Sequence, residues 1–119
     1  MDYSWHIQLN NPWFDHVLNG EKIYEGRCFW KQVLNYKIGD ILKISHYTDH
    51  NRVPYYAKIV EIIKFETFEA ALKNVQLDLV LPNVKSIQEG IEIYKKYYKL
   101  MTQIENGVCL LKLDIIKKN

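Results

Sequence analysis

The chain has 119 residues, 48% of them hydrophobic, 13% aromatic and 25% charged, and a formal net charge of +2. These values fit one globular domain over residues 1–119 and exclude wholesale disorder, a disulfide scaffold and a membrane-spanning helix, since no apolar run approaches ~20 residues. Proteins that coat duplex DNA carry a far larger positive excess, so a nucleic-acid ligand would have to meet a local patch with stacking groups.

The opening MDYSWHIQLN has neither the basic start nor the apolar core of a signal peptide, and the expectation is an intracellular protein whose Cys28 and Cys109 stay reduced. Trp5, Ile7 and Leu9 alternate with His6 and Gln8, which predicts a first strand with Trp5 directed inward. Asn11 as cap and Pro12 at the first helical position open a short helix, and Gly20 stops it. Residues 23–29 read as a second strand, interrupted at Gly26. A turn at residues 37–40 leads into a third strand over 41–46, and residues 48–54 form a loop rich in turn formers. Residues 55–65 read as a long strand with Ala57, Ile59, Glu61 and Ile63 on one face.

Thr67 caps a short helix through Lys73. Ser86 and Glu89 make a capping box, and Ile87, Ile91, Tyr94, Tyr98 and Met101 recur at helical spacing, predicting one helix through Met101. Residues 107–116 close the chain as a strand. The order β-α-β-β-β-α-α-β places most strands in direct succession. It predicts an α+β fold with a curled, mixed or antiparallel sheet, a small barrel with flanking helices, in preference to a doubly wound sheet.

Glu25 and Arg27 are two apart on a predicted strand and therefore share a face, with Lys22 at the strand's start. Converging beside Trp13, they would make a polar cleft with an aromatic wall. Arg27 would hold a phosphate, Glu25 would bond a base edge and the indole would stack a base. The plainer reading is a structural ion pair between Glu25 and Arg27. Trp30, at the start of a polar loop, and Arg52, in the loop after the third strand, are further candidate contacts. For Arg52 the plainer reading is a solvated charge. His46 and His50 are four apart across a predicted turn and read as solvent-facing loop residues, not a metal pair. His6 and His16 read as surface residues, Cys28 as a buried inert thiol, and Lys95, Lys96 and Lys99 with Glu92 as a solvated helix face. No metal site and no cofactor follow from these spacings.

Residues 12–27 resemble the signature of the ASCH domain family, a helix opened by Pro-Trp followed by Gly-x-Lys-x-x-Glu-x-Arg. The match falls on Pro12, Trp13, Gly20, Lys22, Glu25, Gly26 and Arg27. Residues 33–42 are similar to the family's Val-Gly-Asp approach to a strand, with Ile38 in the first place, and residues 65–69, Leu81-Pro82 and residues 94–98 look like one branch of it. The resemblance implies a PUA-like β-barrel and an RNA or modified-nucleoside ligand. The residues expected to bind it are Trp13, Lys22, Glu25, Arg27, Trp30 and Arg52. It also implies an alternative, because some similar proteins are amidohydrolases that deacetylate acetylcytidine with a Lys, a Thr three residues later and a downstream Glu, and others are ribonucleases. Here Lys22 takes the lysine place, Glu25 stands where the Thr would be, and Glu61 or Glu66 would have to serve downstream. In an enzyme, Lys22 and Glu25 would be the catalytic pair. A protein-interaction module is the third expectation.

Overall fold

A computed structural model describes residues 1–117. Lys118 and Asn119, the end of the expected 1–119 span, lie outside the described residues. In chain order the elements are β1 (Trp5–Leu9), α1 (Trp13–Leu18), β2 (Tyr24–Cys28), a 3₁₀ helix (Lys31–Asn35), β3 (Ile41–His46) and β4 (Tyr55–Phe65). They are followed by α2 (Phe68–Asn74), α3 (Leu77–Val80), α4 (Ile87–Tyr97), α5 (Leu100–Asn106) and β5 (Val108–Ile116). The strands form one sheet in the order β1-β3-β4-β5-β2. β1 is parallel to β3, and the other pairs are antiparallel. The expected barrel is therefore a half-barrel whose two edges are β1 and β2. No helix among the described residues is long and apolar enough to cross a membrane.

β5 holds two cores together. Cys109, Leu111 and Leu113 face a core built from β1, α1, β3 and β4, including Ile7, Phe14, Leu42 and Ile59. Val108 and Leu110 face the opposite core, where Phe68, Leu72, Ile91 and Tyr94 of the helices pack. A strand covered on both sides reads as a continuous apolar run, as β5 does. β4 changes faces midway: its register against β5 shifts between Ile59 and Glu61, so Val60 is an extra residue. The bulge moves Ile62, not Glu61 or Ile63, to the side of Ala57 and Ile59, which corrects the expected alternation.

Capping explains two helix starts. Thr67 Oγ1 accepts from Ala70 N–H at 3.2 Å, and Ser86 Oγ accepts from Glu89 N–H at 3.1 Å. At α1 the expected side-chain cap is not made. Pro12 is the N-cap, and backbone carbonyls serve instead, Asn10 accepting from Phe14 N–H.

The helix expected through Met101 ends at Tyr97; Tyr98 and Lys99 are extended before α5 begins. The buried Gln103 explains the break. Its side-chain amide donates to the Tyr98 carbonyl at 3.1 Å, and its Oε1 accepts from Phe68 N–H at the start of α2, also at 3.1 Å. A carbonyl released by the break and an orphan donor of a neighbouring helix are satisfied together. Met101 is exposed as a result. Trp5 is half-buried, not fully inside, with its indole N–H donating to Asp40 at 2.9 Å.

Candidate functional site

A cavity of about 400 Å³ lies where the two sheet edges come together, lined by Gln8 and Leu9 of β1 and by Glu25, Gly26 and Arg27 of β2. That volume is in the ~300–1,000 Å³ range of small-molecule sites. The ladder with β5 sets the direction of the β2 backbone. Leu113 N–H donates to the Ile23 carbonyl and Phe29 N–H to the Gly107 carbonyl. Antiparallel pairing alternates, so Ile23, Glu25, Arg27 and Phe29 turn their backbone groups to β5 while Tyr24, Gly26 and Cys28 turn theirs outward. Consistent with this, the Tyr24 carbonyl accepts from Lys22 Nζ at 2.6 Å.

Lys22 sits just before β2 and is only 2% exposed. Its Nζ donates to the Tyr24 carbonyl and, at 2.5 Å, to the Val80 carbonyl of α3, and it lies 3.5 Å from Glu25 Oε1. Two of the ammonium's three hydrogens thus go to carbonyls, and the Glu25 carboxylate supplies an ion pair. Burial lowers the Lys22 pKa, and the Glu25 carboxylate opposes that shift without cancelling it. Lys22 thus ties β2 to α3 and orients Glu25.

Arg27 Nε donates to Glu25 Oε2 at 2.8 Å. Burial disfavours the Arg27 cation, but Glu25 beside it more than compensates, and the pKa rises. The bond to Glu25 is made by Nε, which leaves the two terminal amino groups of the half-buried guanidinium out of that bond, and Arg27 lines the hollow. Glu25 keeps free lone pairs on both oxygens. The pair can therefore present an acceptor and a fork of donors side by side.

The walls are aromatic. Trp13 stands on one side, with Lys22 Nζ 5.7 Å from its ring centroid, and Tyr47, Tyr94, Tyr97 and Tyr98 complete the lining with Leu81 and Ile93. The Tyr94 ring stacks on Phe68 at 3.8 Å, nearly parallel. Its hydroxyl is a buried side-chain polar atom with no hydrogen-bond partner among the described residues. Burial pushes its pKa well up, so it stays a protonated phenol, able to donate.

Trp13, Lys22, Glu25 and Arg27 thus share one hollow. Trp30 lines an adjoining one. Arg52 lies at neither: its guanidinium bonds Asp15 at 2.5 Å and covers the Phe14 ring, and this contact holds the Asp15 carboxyl below its ordinary pKa. His46, expected in solvent, is buried against Phe14, its Nδ1 accepting from Thr48 and Asp49 N–H to brace the loop. Cys28 is fully buried, and burial raises its pKa to about 11. Sequence reading missed Gln8, Tyr47, Tyr94 and Tyr98 as lining residues. Two of them were absorbed into the helical stripe, and β1 and β3 give no local sign of which residues the open edge exposes.

A curled five-stranded α+β half-barrel, with α1 packed in one core, α2 and α4 in the other and a polar-floored hollow at its open edges, defines a PUA-like domain. The ASCH domain family model matches residues 7–116, and the chain belongs to that family. It is similar over 94% of its length to the crystal structure of hypothetical protein PH0355, of which it covers 98%, with 26% identity and a TM-score of 0.84. The solution structure of protein PF0455 from Pyrococcus furiosus matches 96% of this chain and 98% of its own, with 24% identity and a TM-score of 0.78. A variant of the ZmASCH protein from Zymomonas mobilis matches 94% of this chain and 73% of its own at 13% identity and a TM-score of 0.63, a likeness of fold. No curated protein matches the chain.

Proposed function

We propose that the protein binds RNA or a modified nucleoside in the cavity between the sheet edges. The observation that carries this reading is the bonded pair of Glu25 and the Arg27 guanidinium, with the buried Tyr94 hydroxyl beside it, between aromatic walls. A base would stack on the aromatic wall, its edge would bond Glu25 and Tyr94, and a phosphate would meet Arg27. The test is calorimetric titration with nucleosides, nucleotides and short single-stranded RNA against wild type and Arg27→Ala. The expected result is binding weakened by ~1–3 kcal/mol in the variant with its thermal transition retained. Loss of that transition would make Arg27 a structural residue instead.

A second reading, a hydrolase acting on acetylcytidine or on RNA, is favoured by the lowered pKa of the buried Lys22, which moves it toward a general base. Product formation from acetylcytidine or a short RNA, abolished in a Lys22→Met variant that keeps its thermal transition, would support it; no turnover over hours would count against it. A protein-interaction module is favoured by the exposed Leu100, Met101 and Ile104 on α5.

A further inference from the structure

A second, more open hollow of about 550 Å³ adjoins the first and shares Gln8, Arg27, Tyr47 and Tyr98 with it. Arg27 therefore stands at the junction, with its terminal amino groups unengaged by the Glu25 bond. The far side of this hollow carries Trp30 and Lys31. Two permanent cations line it, Arg27 and Lys31, and no carboxylate does. Trp30 meets the Tyr98 ring edge to face at 6.3 Å, and Tyr98 and Tyr94, both lining the first hollow, stack on the buried Phe68 between them.

Lys31 adopts a left-handed backbone conformation, φ +52°, which is strained for a residue with a side chain. Its exposed ammonium lies 4.2 Å from the Trp30 ring centroid. An exposed cation–π contact of this kind is worth roughly two- to fivefold in an equilibrium. A base stacked on the same ring is worth roughly five- to 150-fold. A base stacking on that face would outcompete Lys31 for the indole, and the freed ammonium would remain near an anion at the same hollow.

We propose that the two hollows together take a dinucleotide step of single-stranded RNA, one base in the cavity between the sheet edges, the linking phosphate at Arg27 and the second base on Trp30. The inference rests on the reading that the first cavity takes a base, and it adds a specific demand: the phosphodiester-linked pair is the binding unit, and a lone nucleoside or nucleotide fills half of the site.

The test is to titrate the protein with the dinucleotides UpU, CpC, ApA and GpG and with the matching nucleosides and 3′-monophosphates. For the base that binds best, the dinucleotide is expected to bind at least about fivefold more tightly than its 3′-monophosphate. Trp30→Ala is expected to collapse that ratio toward one. If Trp30→Ala loses its thermal transition, Trp30→Leu keeps apolar volume against Tyr98 while removing the stacking face, and the same collapse is expected. A wild-type gain below fivefold, or a ratio unmoved by the folded Trp30 variant, overturns the dinucleotide inference and leaves the first cavity's reading standing. No binding of any probe overturns both.

Discussion

Gly26 lies directly under Tyr94: a methyl group at this glycine would stand 2.5 Å from Tyr94 Oη and 2.9 Å from the Phe68 ring. Its φ is not in the left-handed region, so the requirement is for space and not for conformational freedom. Both rings are buried and stacked, and neither can move without disturbing the other. Gly26→Ala should therefore destabilise the protein by ~1–3 kcal/mol, the usual cost of overpacking. Chemical denaturation measures it, and an unchanged midpoint would show that Tyr94 yields freely.

Among the described residues the buried Tyr94 hydroxyl makes no well-formed hydrogen bond, with only the Gly26 backbone N–H close enough to act on it. A buried, unsatisfied polar group costs ~1–3 kcal/mol. Tyr94→Phe keeps the ring stack and removes that group, so it should raise stability by about 1 kcal/mol while weakening nucleotide binding. Stability and affinity moving in opposite directions is the signature of a group retained for a ligand. A variant that loses stability would mean the hydroxyl is satisfied within the fold.

Lys22→Met should be strongly destabilising. It removes the donor shared by the Tyr24 and Val80 carbonyls and leaves Glu25 with Arg27 alone. Breaking one partner of a buried charged cluster costs ~3–5 kcal/mol, and the methionine's apolar volume recovers little of it because two carbonyls lose their donor. Urea titration reads the effect. A midpoint within error of wild type would remove Lys22 from the link between β2 and α3.

Alkaline pH should destabilise the protein, first through its thiols and above pH 10.0 through the phenols of Tyr36, Tyr55, Tyr94 and Tyr98 as well, whose pKa values burial also raises. Burial raises the pKa of Cys28 from 9.0 to about 11 and that of Cys109 from 9.0 to about 12. A group whose pKa is raised on folding contributes fully below its unfolded value and loses that contribution as pH climbs toward the folded value. The decline therefore begins near pH 9.0 and runs to about 11 for Cys28 and about 12 for Cys109. Each pH unit removes about 1.4 kcal/mol per thiol. Lys22, with its lowered pKa, contributes the opposite slope below 10.5. It is common to wild type and a Cys28→Ala/Cys109→Ala variant, so the difference between their pH profiles isolates the thiols. The double variant should lose less stability between pH 8 and 10; parallel profiles would show that other groups carry the decline.

Much of this molecule was legible locally. Alternation in residues 5–9 and 41–46 and the capping side chains of Thr67 and Ser86 are written in neighbours one to four residues apart, and they are where the sequence places them. The shared face of Glu25 and Arg27 follows from strand parity, and their 2.8 Å bond agrees with it.

What the chain alone left open depends on distant contacts. The end of α4 at Tyr97 is enforced by Gln103 through a carbonyl and through the start of α2, and the face switch in β4 by its register against β5. The hollow itself exists only because β1 and β2, at opposite ends of the sheet order, curve to the same place and bring Gln8, Tyr47 and Tyr94 beside Arg27. Periodicity and capping are short-range effects that a linear string records; the meeting of two unpaired sheet edges is a closure of the whole fold, and no local pattern encodes it.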